Sequence, residues 1–405
     1  MSGFSTRLKK VKYEVTIFLV LLRLPRMKPH IPTLVLIVLF ASSCKKDVTE
    51  NPSVAEFKNA FSQTGNQVAN RLIAVADGII IIGTSTIGGE SHLQLVKTDF
   101  NGNELWTKEL SSETTGFGIR PTSDGNLILI GTKTLSTDNQ DAFLAKTDLN
   151  GNVIWEKTFG DIMVEQAKDV IELSHGGYVF VGVTQSMGPG VAALYVVRTD
   201  ADGNEVWSKE FGGSGLDSGS ELVQTSTIEI KLLGFTHSFG AGDRDIYLQT
   251  ISADGDSLAS FTYGGAGYEE SQAIALTDDG GTIMCNHSAS EDPTHKLWAT
   301  KLDADNQVVW QQEFGGLTEH EGGEGALADS QGNYVFIGRT NSFGNDEQVY
   351  FIKTNANGNV LEELNFGEVG DQRGNDIIEY NGSYYICGTS TVNGDSDVLL
   401  IKRPM

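Results

Sequence analysis

Cysteine, proline and basic residues are scarce in this chain, and each scarcity closes off a class of protein. Among 405 residues there are 3 cysteines, 8 prolines, and 29 lysines and arginines against 53 acidic residues, a formal net charge of -24. Seven of the basic residues but only one acid, Glu14, precede Cys44, so the remainder is more acidic still. Such a surface repels phosphate backbones and anionic headgroups, and nucleic acid is not an expected partner. So few cysteines do not make a disulfide scaffold.

Catalytic and metal-binding signatures are missing as well. There is no H-E-x-x-H among the histidines, including His237, His287, His295 and His320, and no G-x-S-x-G elbow or phosphate-cradling glycine loop. Sialidase boxes of the form S-x-D-x-G-x-T-W do not match either. No catalytic residue, metal or cofactor is assigned on this basis. Helical periodicity of useful length is absent too.

Long apolar runs are confined to the N-terminus. The stretch from Ile31 to Phe40 is preceded by Lys28 and followed by Ala41-Ser42-Ser43-Cys44, the order of a secretory signal. It falls short of the roughly 20 apolar residues that span a bilayer. MKPHIPTLVLIVLFASSC, starting at Met27, is a complete signal by itself, so Met27 competes with Met1 as the true start. Small residues before Cys44 and KKD after it resemble a bacterial lipoprotein signal, which implies acylation of Cys44. Ala41 stands where such signals usually carry leucine, and simple cleavage after Ser43 also fits. The expected layout is a signal segment at 1–43, a polar tether at 44–53 and one folded domain at 54–405.

What the chain has in abundance is repetition. Arg198 to Gly213 reads RTDADGNEVWSKEFGG, and versions of it start at Lys97, Lys146, Lys301 and Lys353. Phe57, Trp106, Trp155, Trp207, Ala259, Trp310 and Glu362 mark equivalent positions roughly every fifty residues, which means seven repeats. Each unit holds four strand-length runs separated by turn residues. Asn-Gly or Asp-Gly turns at Asn101, Asn150, Asp202 and Asn357 join the third run to the fourth. A second set, at Asp77, Asp124, His175, Asp279, Gln331 and Asn381, joins the first run to the second. The expected fold is all-β: a seven-bladed β-propeller of four-stranded antiparallel blades. The last repeat lacks a fourth strand, while Phe57-Lys-Asn-Ala-Phe61 matches Trp207-Ser-Lys-Glu-Phe211. The N-terminal strand is therefore expected to close the last blade.

The KTDxNGNxxWxKxFGG unit, with SFGAGDRDIYL at Ser238 to Leu248, resembles a repeat propeller family of secreted and lipid-anchored proteins in Bacteroidota-type bacteria. A looser similarity is to quinoprotein-like propellers. The first resemblance implies an outer-membrane lipoprotein, on the periplasmic side or at the cell surface. The second would imply neighbouring cysteines and an eighth blade, which the sequence lacks.

Candidate sites follow from the blade register. The turns at Asp99, Asp148 and Asp200 have calcium-like spacing but no recurring bidentate carboxylate, so they read as hairpin turns. The recurring tryptophans read as packing between blades, with Trp298 outside the pattern. Cys285 and Cys387 fall on non-adjacent blades and read as buried thiols. Arg71, Arg120, Asp169, Glu221, Glu324 and Asp376 lie fourteen residues after their markers, on strands expected to line the central channel. Counting back from the turn instead shifts blades two, six and seven by one or two residues. The longer second-to-third-strand loops carry the acids Asp138, Asp141, Asp243, Asp245, Glu291, Asp292, Asp346, Glu347, Asp395 and Asp397 on the opposite face from the short turns. Those loops are the expected surface for an unknown protein or glycan ligand. The functional expectation is a monomeric, non-catalytic binding or scaffold module, with the membrane reached only through the lipid anchor. The alternative is an enzyme acting on extracellular polysaccharide at the channel mouth.

Overall fold

Short turns dictate the architecture. Where the third strand of a blade meets the fourth, Asp99, Asp148 and Asp200 each accept two backbone N–H bonds from residues two and four further on, at 2.8–2.9 Å. A glycine at positive φ follows (Gly102 +77°, Gly151 +72°, Gly203 +77°), reversing the chain within a few residues. Strands so joined can only be antiparallel neighbours.

A computed structural model describes residues 57–288, 295–316, 320–344 and 346–405. Cys44, the signal segment, the tether, residues 54–56, Glu291 and Asp292 lie outside the described residues. Among the described residues 28 strands form seven four-stranded antiparallel sheets and no helix. Blade one runs from the inner strand Asn66–Val75 through Gly78–Ile87 and Glu90–Thr98 to the outer Glu104–Ser112. Five more blades repeat that order.

Blade seven departs from it. Its inner three strands are Asp371–Tyr380, Ser383–Val392 and Asp395–Pro404, and its outer strand is Phe57–Phe61 from the other end of the chain. The register runs Phe57 to Lys402, Ala60 to Leu399 and Phe61 to Val398. The ring is therefore a seven-bladed propeller sealed by its own N-terminal strand, which covers the edge of Asp395–Pro404 that would otherwise stand unpaired.

Adjacent blades are held together by apolar residues on facing sheets. One such layer joins Ile128, Ile130 and Phe159 of blade two to Val170, Phe180 and Val197 of blade three. Each marker aromatic packs on the turn glycine of the next blade: a Cβ on Gly203 would lie 2.7 Å from the Trp155 ring. Blade four carries Ala259 instead, and the next blade's turn there has Asn306 at φ +62° rather than glycine. Removing the aromatic lid removes the need for a missing side chain. Trp298, outside the marker pattern, packs half-buried against a core layer with Val223 and Phe261.

Candidate functional site

The inner strands are not regular. Each contains an extra residue at an equivalent place that has no partner on the second strand: Asn70, Phe117, Lys168, Ser220, Gln272, Glu324 and Asn375, with a second, Thr225, near the end of the blade-four strand. A bulge of this kind bends the strand and re-aims one side chain. In six blades the residue before the bulge faces a glycine on the second strand, because the two backbones come too close for a side chain. A Cβ on Gly182 would sit 1.8 Å from the Gln166 carbonyl oxygen.

All seven bulge side chains line one cavity of about 680 Å³. The wall also takes in Val68, Ser218, Thr389, Thr391 and Ser396, at the ends of strands that lead into the longer loops. The cavity thus opens on the face opposite the short turns. Three bulge side chains bridge blades: Asn70 Nδ2 donates to Gly116 O at 2.6 Å, Asn375 Nδ2 to Ala69 O at 2.6 Å, and Ser220 Oγ to Ser271 O at 3.0 Å. This ring was missed in the sequence because, Asn70 and Asn375 apart, its members share no residue type. The recurring second-strand glycine was the signal that could have located it.

An ion network forms the cavity floor. Arg71 on blade one reaches Asp169 on blade three at 2.6 Å and Glu221 on blade four at 2.8 Å, and Arg120 on blade two meets the same two carboxylates at 3.2 and 3.3 Å. Residues on non-adjacent blades can touch only across the central axis. Asp376 and Glu221 each also accept a backbone N–H of the next blade, from Leu72 at 3.1 Å and Ile274 at 2.7 Å. Burial alone would lower the Arg71 guanidinium pKa; Asp169, Glu221 and Asp376 overcome this and raise it. Burial raises the Glu221 and Asp376 carboxyl pKa values against the pull of Arg71.

Counted from the bulge, Arg71, Asp169, Glu221 and Asp376 occupy one equivalent position, the residue just after it. Arg120 lies two residues past the equivalent Gly118, and Glu324 is itself the bulge residue of blade six. Blade seven needs no shift, contrary to the count from the turn. The opposite charges of Arg71, Arg120, Asp169 and Glu221, expected to line the channel, are paired with each other across it.

A second cavity of about 540 Å³ lies beside the first, between blades five and six, and shares Glu270, Gln272 and Glu324 with it. His287, His295 and His320 are scattered in sequence, yet all three line it. The His295 and His320 rings are 5.7 Å apart, and His287 Nε2 is 3.5 Å from Glu324 Oε1. Burial, with the neighbouring His287, His320 and Arg339, lowers the His295 pKa despite Glu270. Arg244 pairs with Glu270 at 3.0 Å and lies over the Phe235 and Tyr268 rings.

Other candidates prove structural. The Asp99, Asp148 and Asp200 carboxylates are engaged by their own turns, as described above. In blades one, two and five the lysine before the third-to-fourth-strand turn pairs with an aspartate of the first-to-second-strand turn: Lys97 with Asp77 at 2.8 Å, Lys146 with Asp124 at 2.7 Å and Lys301 with Asp279 at 2.9 Å. Cys285 and Cys387 are buried free thiols, and burial raises both well above the usual thiol pKa. Acids at the start of inner strands were overlooked: buried Glu165, Asp217 and Glu269 accept N–H bonds from Asp161, Gly213 and Gly265, fixing the loops that enter each blade.

These features define the class of protein as a seven-bladed β-propeller with a blind central cavity on its long-loop face. Solved structures agree on the fold. The chain is similar to YCF48 bound to D1 peptide, with TM-score 0.53 at 10% identity, covering 88% of this chain and 100% of that one. It is also similar to puromycin hydrolase, with TM-score 0.52 at 13% identity, covering 83% of this chain but only 53% of the hydrolase. A third likeness is to an α-L-arabinofuranosidase from Fusarium graminearum, with TM-score 0.50 at 11% identity over 72% of this chain and 93% of that one. At such identities the likenesses show the fold alone. No protein-family model matches the chain, and no curated protein matches it in sequence.

Proposed function

We propose that this chain is a non-catalytic binding or scaffold propeller of the bacterial cell envelope, lipid-anchored at Cys44, whose ligand enters the central cavity on the long-loop face. The observation that carries the reading is the bulge in every blade, which aims seven side chains of six residue types into one cavity. A repeat protein has no packing reason to vary one position in all its repeats, whereas an asymmetric ligand asks for that variation. The peptide held by the YCF48 propeller is in keeping with a binding role.

Three carboxylates in and below the cavity favour binding over hydrolysis. Asp169 and Glu221 are paired with Arg71 and Arg120, and Glu270 with Arg244, so none of them stands free to give or take a proton. The envelope address rests on the signal-like segment ending at Cys44, the acidic composition and the resemblance of the repeats to Bacteroidota-type lipoproteins. Replacing Cys44 by serine should move the protein from the membrane to the soluble fraction, and retention in the membrane would contradict the anchor.

The site is tested by capture from envelope extract with the intact anchored protein. Val68 lines the cavity and is 38% exposed, so Val68→Trp blocks the cavity without disturbing the core. The expected result is a ligand held by the wild type and by Asp254→Lys on the short-turn face, and lost by Val68→Trp. Equal capture by all three proteins would overturn the reading.

A further inference from the structure

The cations around the central cavity are not equivalent. Arg71 is neutralised by Asp169 and Glu221, and Arg373 is paired with Glu347. Lys168 is different: its Nζ lies 4.0 Å from the centre of the Phe117 ring, and among the described residues no carboxylate is within ion-pairing distance of it. Burial lowers its pKa, with Glu270 acting in the opposite direction. A partly desolvated ammonium that touches an aromatic ring, while the nearby Glu270 is itself paired with Arg244, is short of an anion.

The walls carry three acids that already have partners, Glu270 with Arg244, Glu324 beside His287 and Asp371 with the Glu347 N–H, and between them neutral hydrogen-bonding groups. Asn70 and Asn375 use Nδ2 on neighbouring carbonyls, which fixes each amide with Oδ1 left as an acceptor. Thr389 is 9% exposed and lines the cavity, and its buried Oγ1 has no hydrogen-bond partner. An unsatisfied buried hydroxyl is costly and marks a place where a partner fits. The Arg71 network closes the floor, so whatever enters does so as a terminal group rather than a threaded chain.

We infer that the central cavity binds a sugar acid, with the carboxylate on Lys168 Nζ and the hydroxyls on the Asn70, Asn375 and Thr389 side chains. A charge-assisted bond to Lys168 supplies the strongest single contact, and the amides and hydroxyl set orientation. This rests on the reading of the cavity as the ligand site of a binding propeller. A peptide C-terminus would also bring a carboxylate, but it lacks the hydroxyls that the Asn70, Asn375 and Thr389 side chains ask for.

The test is titration of the full chain with D-glucuronate and D-galacturonate, followed by calorimetry and ligand-detected NMR. Neutral D-glucose and D-galactose form the second arm, and a short peptide with a free C-terminus the third. Both uronates should bind with millimolar Kd, and the neutral sugars should bind about tenfold or more weakly. Lys168→Gln should weaken uronate binding by a similar factor, Lys168→Arg should retain part of it, and Val68→Trp should abolish it. Equal binding of neutral and acidic sugars, no uronate binding at about 50 mM, a preference for the peptide, or an unaffected Lys168→Gln protein would each overturn the inference. Should Lys168→Gln fail to fold, the wild-type comparison of uronate with neutral sugar still decides. If no uronate binds while Val68→Trp still loses its captured envelope ligand, the sugar acid fails and the cavity stands. If Val68→Trp keeps that ligand, the cavity itself fails.

Discussion

Arg71 Nη1 lies 2.6 Å from Asp169 Oδ1, although one residue belongs to blade one and the other to blade three. The pair ties the inner strands together across the axis, and Arg120 provides a second, longer contact to the same carboxylate at 3.2 Å. The Asp169 side chain is fully buried, so it depends on both cations. Arg71→Met should cost about 3 kcal/mol of unfolding free energy, since removing one partner strands a buried charge. Arg120→Met, at a more exposed position, should cost about 1 kcal/mol. Urea unfolding at neutral pH measures both, and equal losses would contradict the difference in burial.

Ring closure makes the N-terminal strand part of the last blade rather than an appendage. Phe61 is buried against a layer that joins Leu72 and Ile81 of blade one to Val398 and Leu400 of blade seven. Deleting residues 54–62 removes that layer's lid and bares the edge strand. Thermal unfolding should shift down for the whole domain, with a loss of several kcal/mol, on the order of 3–5 from the phenylalanine burial and strand pairing together. An unchanged melting temperature would contradict closure.

The pairing of turn glycine with the preceding blade's tryptophan gives a matched set of substitutions. Gly203→Ala would place a Cβ 2.7 Å from the Trp155 ring at φ +77°. It should destabilise by about 2 kcal/mol, from the left-handed conformation and the clash together. Asn306→Gly, under Ala259, has no aromatic to relieve and should change stability by less than about 0.5 kcal/mol. Chemical denaturation of the two variants checks both values.

Much of this architecture was legible because it is carried by residue types. Asn-Gly and Asp-Gly turns need positive φ, the aromatic marker recurs at one position, and the Phe57 to Phe61 match to Trp207 to Phe211 places the closing strand. The bulges were not legible, since an extra residue in a strand is a matter of backbone register and Asn70, Phe117 and Lys168 have nothing chemically in common. The stretch from marker to bulge is shorter in blade two and longer in blade six than in the other blades, which misplaced Arg120 and Glu324 relative to the other channel candidates. The histidine cavity was hidden for another reason: His287 and His320 approach only because two blades pack side by side, which no local spacing records.

Acid stability should be governed by the turn aspartates. A hydrogen bond from Thr277, with Lys301 and the Gly281 N–H, lowers the Asp279 pKa to about 2. A carboxyl lowered on folding contributes stability above its ordinary value, near 3.8, and loses it as pH falls through about 2. Glu221 and Asp376 run the other way: raised on folding, they contribute below their ordinary values and lose that contribution as pH rises through the folded ones. Asp279→Asn should therefore lower stability at pH 7 by less than about 1 kcal/mol, the pair being largely exposed on the aspartate side. Its stability should also fall less than the wild type's between about pH 4 and pH 2. Parallel acid limbs in melts of the two proteins would contradict the assignment.

The most direct test of the central cavity is amide hydrogen exchange on the anchored protein, with and without the ligand it captures from envelope extract. Protection is predicted along the bulged inner-strand segments around Asn70, Phe117, Lys168 and Asn375, with no change at the turns containing Asp99, Asp148 and Asp200. Protection confined to those turns, or spread evenly over both faces, would contradict it.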